Sequence, residues 1–431
     1  MENCWQGIGA NSLICGILKR IAALYRNAFG GLEPATWWLS LVMLVNRSGT
    51  MVVPFMTLYL TQKRHFTLGQ AGWVMSIYGI GAVGGAFIGG KLTDRLGFHS
   101  IQLATLSGGG ICFLVLGQMT TYPMICVFTF VLSLVNESFR PANFAAIAHY
   151  CREDNRTRSV SLNRLAINTG WALGGALGGF IAATNYHLLF WIDGGTNLAA
   201  ALLLYLVLGP GKAIVRPHPA IPSAMAQQVR SAYQDRPYLF MVLLTVMFAY
   251  CFFQLFTTQP VFYKEVLHLS EPFIGMIMAL NGAIIGLFEM LIVFHLENRR
   301  AYLYYTTIGV LLCGFSFLML NLFPGSGLLA ISSMVAVSLG EMLSMSFLNA
   351  FWMGRSNSGN RGQYAALYTA AWSTAQVVGP GTGAQIAQHY GFRTLWWVVG
   401  GICLITSAGF RWLRQGTSVP VATDGPEPVP V

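Results

Sequence analysis

Twelve apolar stretches, each about as long as a bilayer is thick, recur along this 431-residue chain. They cover residues 38–60, 68–90, 101–119, 123–148, 160–183, 187–209, 238–262, 270–295, 301–321, 326–350, 363–387 and 393–413. A helix needs roughly 17–25 such residues to cross the hydrocarbon core. No other feature narrows the fold as far, because lipid offers the backbone no hydrogen bonds. Only helices and closed barrels satisfy every N–H and C=O in that solvent, and the alternating pattern of a barrel strand is absent. Charge content agrees. Only 9% of the residues are charged, against roughly 25% in a soluble chain, too few to cover a water-facing surface. The fold class is therefore read as all-α integral membrane, with twelve transmembrane helices.

Charge placement sets the orientation. With both termini on one side, that side carries eighteen of the 25 Lys and Arg residues, and the other carries only Lys63, Arg64, Lys264 and Arg393. Loops rich in Lys and Arg stay in the cytoplasm. Both termini are expected to be cytoplasmic, and the protein to lie in the cell's inner (plasma) membrane. The net charge of +10 then reports topology, and nucleic acid is not an expected partner, since no basic stripe with interleaved aromatics is present. Residues 1–37 read as a cytoplasmic N-terminal segment and not a signal peptide, because Lys19 and Arg20 follow the apolar "SLICGIL" instead of preceding it. Residues 414–431, Pro-rich, read as a disordered tail. The eight cysteines show no metal-ligand spacing. No phosphate-binding loop or catalytic triad is visible, so no metal, cofactor or enzymatic activity is expected.

Glycine and charge positions recur about 204–205 residues apart. "NTGWALGGALGGFIA" in the fifth stretch answers "TAQVVGPGTGAQIA" in the eleventh, pairing Gly174 with Gly379, Gly175 with Pro380 and Gly178 with Gly383. "SLVNE", ending at Glu137, answers "SLGE", ending at Glu341; "KLTDR" answers "HLENR", so that Asp94 matches Asn298 and Arg95 matches Arg299. The chain thus divides into a six-helix half at 38–209, a central cytoplasmic loop at 210–237 and a second half at 238–413. Two such halves with a site between them near the midplane suit an alternating-access transporter.

"GGKLTDRLGF" follows the second stretch on the basic side. It resembles the loop signature G-x-L-x-D-R-x-G of the major facilitator superfamily, matched by Gly90, Leu92, Asp94, Arg95 and Gly97. The resemblance extends over roughly residues 38–413. It implies that this loop latches the two halves in the outward-facing state, with Asp94 as the anchor. Phe98 and His99 stand where the family usually has Arg or Lys. "GWALGGALGGF" resembles the family's antiporter motif G-x-x-x-G-P-x-x-G-G at Gly170, Gly174, Gly178 and Gly179, with Gly175 in place of the proline. Residues this small let helices approach backbone to backbone, so Gly379, Pro380 and Gly383 are assigned the same packing role.

Ionisable residues inside a span cost roughly 2.5–3.5 kcal/mol each and are functional candidates. Arg47 lies near the middle of span 1, Glu137 and Arg140 in span 4, and Glu341 near the middle of span 10. The resemblance implies that spans 1, 4, 7 and 10 line the central cavity, so these four would face a common water-filled space. A carboxylate taken out of water holds a proton more readily, and a nearby guanidinium opposes that. A group balanced between the two effects can load and release a proton. Glu341 has no cation on its own helix turn and is the first candidate for the proton carrier; Glu137, three residues from Arg140, is the second. Gln254 and Asn281 are polar enough to contact substrate or, alternatively, to cross-link helices. Glu289 and Asp193 read as gate or interface residues, and Arg164 as a snorkelling side chain.

The function implied is secondary active transport, by resemblance to the drug:proton antiporter branch: proton-coupled export of a small amphipathic or drug-like molecule by a monomer in lipid. Proton-coupled uptake of a polar nutrient such as a peptide or sugar remains open, since Arg47 and Arg140 would suit an anionic substrate. A non-transporting receptor or assembly factor on the same fold is the alternative of another class.

Overall fold

The computed structural model describes residues 30–151, 155–208, 231–296, 299–322, 326–356 and 360–416. Most of the N-terminal segment, the central loop and the tail, and the repeat partner Asn298, lie outside the described residues. Span 1 runs Pro34–Lys63, span 2 Leu68–Leu96, span 3 Phe98–Gln118, span 4 Tyr122–Tyr150, span 5 Arg156–Thr184 and span 6 Tyr186–Val207. Span 7 runs Arg236–Glu265, span 8 Glu271–Leu296, span 9 Tyr302–Leu322 and span 10 Gly327–Arg355. The final helix, Arg361–Gly416, is kinked at Gly391 (φ 83°, ψ 159°) and supplies spans 11 (361–390) and 12 (392–416). The same backbone conformation at Gly97 (φ 83°, ψ 150°) joins spans 2 and 3. It is essentially closed to residues with a Cβ.

Local chemistry starts the helices. Thr67 and Gln70 form a reciprocal cap at span 2, with Thr67 Oγ1 accepting from the Gln70 N–H at 3.2 Å and Gln70 Oε1 from the Thr67 N–H at 3.0 Å. Asn185, Asp235 and Ser326 cap spans 6, 7 and 10. Spans 1 and 7 are interrupted. In span 1 the helix Pro34–Ser48 stops and restarts at Val52–Leu58, ending in a π-helical turn, Tyr59–Lys63. Pro54 has no N–H to give the Thr50 carbonyl, and its ring clashes with that group in a continuous helix. Span 7 breaks likewise between Arg236–Thr257 and Gln259–Glu265, next to Pro260.

Small residues set the packing. A Cβ on Gly170 would lie 2.5 Å from Arg47 Cβ, and one on Gly174 would lie 3.0 Å from the Thr50 oxygen, so this stripe seats the break of span 1 against span 5. Gly178 meets Met51 and Phe55 in the same way. The neighbouring stripe, Gly175 and Gly179, faces span 8 of the other half. In the second half Gly379 and Gly383 seat span 7 against span 11, while Pro380 and Gly381 face Gly72 and Ser76 of span 2. Equivalent glycines thus hold equivalent spans.

The two halves meet on the side opposite the basic loops. Gln62 Nε2 donates to Glu265 Oε1 at 3.1 Å, the Gly69 N–H to Gln388 Oε1 at 2.7 Å, and Tyr186 to Glu271 Oε1 at 3.3 Å. Spans 2 and 11 remain linked as far as the Gly381 N–H on Ser76 Oγ, 2.9 Å. Beyond that point, among the described residues, no hydrogen bond joins them, and Phe87 and Ile88 are exposed.

Candidate functional site

A cavity of about 150 Å³ lies between the halves. Pro54 of span 1, Asn168 and Trp171 of span 5, Phe256 of span 7, Asn281 of span 8 and Met334 and Glu341 of span 10 contribute to its wall. Trp171 and Phe256, from opposite halves, bring their ring centroids to 5.8 Å. Asn281 Nδ2 donates to Ser338 Oγ at 2.9 Å and to Glu341 Oε2 at 3.3 Å. Among the described residues Glu341 is the one acidic group on the wall, and Asn281 orients it. Sequence reasoning did not place Asn168 or Trp171 here, because it assigned the lining to spans 1, 4, 7 and 10. The available signal was Asn168, a polar residue one helical turn from Arg164 in an otherwise glycine-rich span.

The four in-span charges do not share one space, which corrects the expectation. Arg47 and Glu137 line a separate cavity of about 30 Å³ inside the first half, with Asn46, Tyr78, Asn136 and Asn197. That volume suits a bound water or two. Among the described residues neither forms an ion pair, and Arg47 Nε is buried without a hydrogen-bond partner. Arg140 is exposed and lines neither cavity. Three residues turn a helix by about 300°, which leaves Glu137 and Arg140 about 60° apart and aimed at different surroundings.

The Arg47 cavity is built around the break in span 1. Asp193 of span 6, 0% exposed, accepts the Met51 N–H at 3.1 Å and the Val52 N–H at 2.8 Å. It satisfies donors at the start of the restarted helix that have no partner within that helix. Asn197 Nδ2 donates to the Asp193 carbonyl at 2.8 Å, and Asn46 Nδ2 to Asn197 Oδ1 at 2.9 Å. Asp193 acts on span 1 within its own half and is not a gate between halves.

Gln254 is a second correction. It is 0% exposed; its Nε2 donates to the Gly379 carbonyl at 2.9 Å and to the Tyr250 carbonyl at 3.2 Å, and its Oε1 accepts from Thr258 at 3.0 Å. Its amide is consumed in fastening spans 7 and 11 and does not reach the central cavity.

In the basic loop Asp94 and Arg95 are exposed, and among the described residues Asp94 has no ion pair or hydrogen bond to the second half. Gly97 supplies the left-handed turn. Gly90, expected at a close helix approach, sits in open space, and a Cβ added there would meet nothing within 4 Å. Gly89 makes that approach instead: its Cβ would lie 2.5 Å from Ser138 Cα.

Three ion pairs among the described residues went unread in the sequence, one of them Lys264 with Glu271 at 2.8 Å. Arg164 of span 5 donates to Glu289 Oε1 of span 8, joining the halves, and Ser346 donates to the same oxygen at 2.7 Å. At the basic end of span 7 Arg355 grips Asp235 with Nε on Oδ2 at 2.5 Å and Nη2 on Oδ1 at 2.8 Å, while Tyr364 donates to Oδ2 at 2.6 Å. Burial pushes the Asp235 carboxyl up, but Arg355 and Tyr364 outweigh it and hold the group below its ordinary value.

The model of the Major Facilitator Superfamily matches residues 39–372. The chain belongs to that superfamily. An uncharacterized MFS-type transporter, YceJ of Bacillus subtilis (strain 168), is 23% identical over 365 residues, covering 83% of this chain and 91% of that protein. The multidrug resistance protein MdtH of Aeromonas salmonicida (strain A449) is 23% identical over 184 residues, 42% of this chain and 46% of its own. A crystal structure of a POT family transporter in complex with 5-aminolevulinic acid superposes with a TM-score of 0.76 at 13% identity, over 91% of this chain and 98% of the other. That likeness shows the fold. This superfamily member is a multi-pass membrane transporter and not an enzyme.

Proposed function

We propose that the protein is a proton-coupled exporter of small amphipathic molecules, in particular lipophilic cations, working in the cell's inner (plasma) membrane with its basic side in the cytoplasm. The observation that carries this reading is the single carboxylate, Glu341, on the wall of an otherwise largely apolar, aromatic cavity between the halves. An apolar wall recovers about 25 cal/mol for each Å² of apolar surface that leaves water. Trp171 and Phe256 offer ring faces to a cation, and Glu341 supplies the countercharge. The orientation is supported by the bias of Lys and Arg towards one side.

The cycle follows from charge. In the basic-side-open form a cationic substrate enters and displaces the proton of Glu341 to the cytoplasm. The loaded transporter turns to the opposite side, and Asp94 latches the basic side shut. A proton from outside then neutralises Glu341, the substrate leaves, and the neutral carboxyl returns. Polar-nutrient uptake is the weaker reading, because Arg47 and Arg140 lie outside the central cavity.

The test is reconstitution in proteoliposomes with tetraphenylphosphonium as probe. Wild type accumulates it against its gradient when a pH gradient is imposed, and Glu341→Gln, without the countercharge, loses accumulation and binds the probe more weakly. A Glu341→Gln variant that still concentrates the probe removes Glu341 as carrier. A wild type that carries only dipeptides or sugars favours uptake, and one without flux favours a receptor.

A further inference from the structure

On the basic side of the second half, span 9 begins where span 12 ends. The two helices run antiparallel and in close contact. Ser407 Oγ donates to the Thr307 carbonyl at 3.1 Å, and deeper in the membrane a Cβ on Gly314 would lie 2.7 Å from Cys403 Cβ. Tyr304, in the first turn of span 9, is shared by two cations. The guanidinium carbon of Arg300 lies 5.0 Å from its ring centroid, and that of Arg414, in the last turn of span 12, lies 5.2 Å from it. The two guanidinium groups are therefore within about 10 Å of each other. Among the described residues neither side chain has an ion pair. Two like charges repel at this separation, and a ring face at an exposed site attracts each of them only weakly. The arrangement lacks an anion.

The surroundings say which anion. Trp412, two residues before Arg414, is exposed, with its ring edge-on to Phe240 of span 7 at a centroid distance of 5.3 Å. Tyrosine and tryptophan at the end of a span mark the level of the lipid headgroups. From there towards the bilayer centre the surface is apolar: Leu311 and Phe315, on the same stripe of span 9 as Tyr304, are exposed, as are Leu404 and Ile405 of span 12. Arg300 and Arg414 line neither cavity, so this corner stands apart from the central site. Nor does the shared fold of the halves require it. At the repeat offset of 204 residues Leu96 stands in place of Arg300 and Ser100 in place of Tyr304.

We infer that Arg300, Arg414 and Tyr304 form a binding site for the headgroup of an anionic phospholipid in the leaflet on the basic side. A phosphodiester accepts hydrogen bonds from planar guanidinium forks, two at a time, and one phosphate can be reached from both arginines. Tyr304 holds the two side chains at the headgroup level, and the acyl chains lie along the exposed apolar stripe of spans 9 and 12. That continuation favours a lipid over a free phosphate, which would leave the stripe unused. Exposed Arg299 and Arg411 add to the positive potential around the site. Each arginine at an anionic surface is worth about fivefold in affinity. A bound lipid would join the start of span 9 to the end of span 12 and so brace the basic end of the second half.

The test is titration of the purified full-length protein in detergent with phosphatidylglycerol and, separately, phosphatidylcholine, with binding read by native mass spectrometry and by the melting temperature. The parent should prefer phosphatidylglycerol by about 25-fold or more and melt higher in its presence. Arg300→Gln and Arg414→Gln should each weaken phosphatidylglycerol binding about fivefold, and together about 25-fold. Tyr304→Ala, which leaves the net charge unchanged, should weaken it as well, and Tyr304→Phe should restore it; this pair keeps the test available if the double arginine variant does not fold. Arg361→Gln, which removes an exposed cation from the start of span 11 on the same side, should change binding less than twofold. Equal binding of the two lipids by the parent overturns the site. So does parental preference in Tyr304→Ala or in the double variant, and so does a loss in Arg361→Gln as large as in Arg300→Gln, which would report overall charge and not a built site. Inorganic phosphate at the lipid's concentration should leave the lipid bound, and displacement by it overturns the lipid as occupant.

Discussion

Gly179 is, with Gly275 opposite it, the tightest contact between spans 5 and 8, and replacing it by alanine should change which state is populated. The added methyl would sit 2.5 Å from the Glu271 carbonyl oxygen and 2.8 Å from Gly275 Cα. Both are backbone atoms that cannot rotate away. Reaching van der Waals separation, about 3.5 Å or more, requires spans 5 and 8 to part by roughly 1 Å at this end. Overpacking of this kind costs about 1–3 kcal/mol. The cost falls on the form described here, in which this end is closed, and is relieved when it opens. A shift of that size changes the ratio of the two forms by about 5–150-fold. Spin labels at the exposed Thr184 and Ser270, at the two sides of the seam, should show a longer-distance population in Gly179→Ala that is minor in the parent. Gly195→Ala, where nothing lies within 4 Å, is the control and should leave the distribution unchanged. If Gly179→Ala gives the parent distribution and the parent melting temperature, the seam is not the constraint the geometry makes it.

Asp193→Ala should leave the Val52 N–H buried without an acceptor, while the Met51 N–H keeps the Gly49 carbonyl, and destabilise the protein by about 1–3 kcal/mol, read as thermal unfolding in detergent; Asp193→Asn keeps an acceptor oxygen and should cost less. Arg355→Ala should lower stability by about 2 kcal/mol at neutral pH, the scale of a charge-assisted hydrogen bond. Because the folded Asp235 carboxyl lies below its unfolded value of about 3.9, this difference should be complete above about pH 4 and shrink as pH falls through the folded value; a gap that persists undiminished at pH 2 would refute the assignment. Asp94→Asn should melt as wild type does, since the anion is exposed and makes no tie to the second half in this form, yet lose most flux, and normal flux in correctly inserted protein would remove the latch role.

The spans were legible because membrane solvation is a one-dimensional constraint: length and apolarity suffice, and the neighbours hardly matter. The glycine repeat was legible for a related reason, since backbone contact admits almost no other residue. What depended on a distant partner could not be read. Gln254 and Asn281 are both amides in apolar helices, yet one is consumed by the Gly379 carbonyl while the other meets Glu341 at a cavity wall. The break in span 1 has a local cause in Pro54, but its cap, Asp193, comes from span 6. Arg164 read as a snorkelling side chain because its position near a span end is compatible with that, and Glu289, 125 residues away, gives it another partner.

These partners share a pattern. Asp193 stabilises an interruption that exposes Arg47 to a cavity, and Arg164 and Glu289 bridge spans 5 and 8 of the two halves. In both places polar side chains appear where close apolar packing has been given up, and a helix bundle in lipid gives it up only where it must move or hold water. The rigid parts of the molecule are its glycine contacts, Gly174 and Gly178 against span 1, Gly379 and Gly383 against span 7. Those contacts keep each half intact as a body. Of these charges Arg164 and Glu289 lie between the two bodies, and the strength of such a contact, unlike that of a glycine contact, responds to a proton.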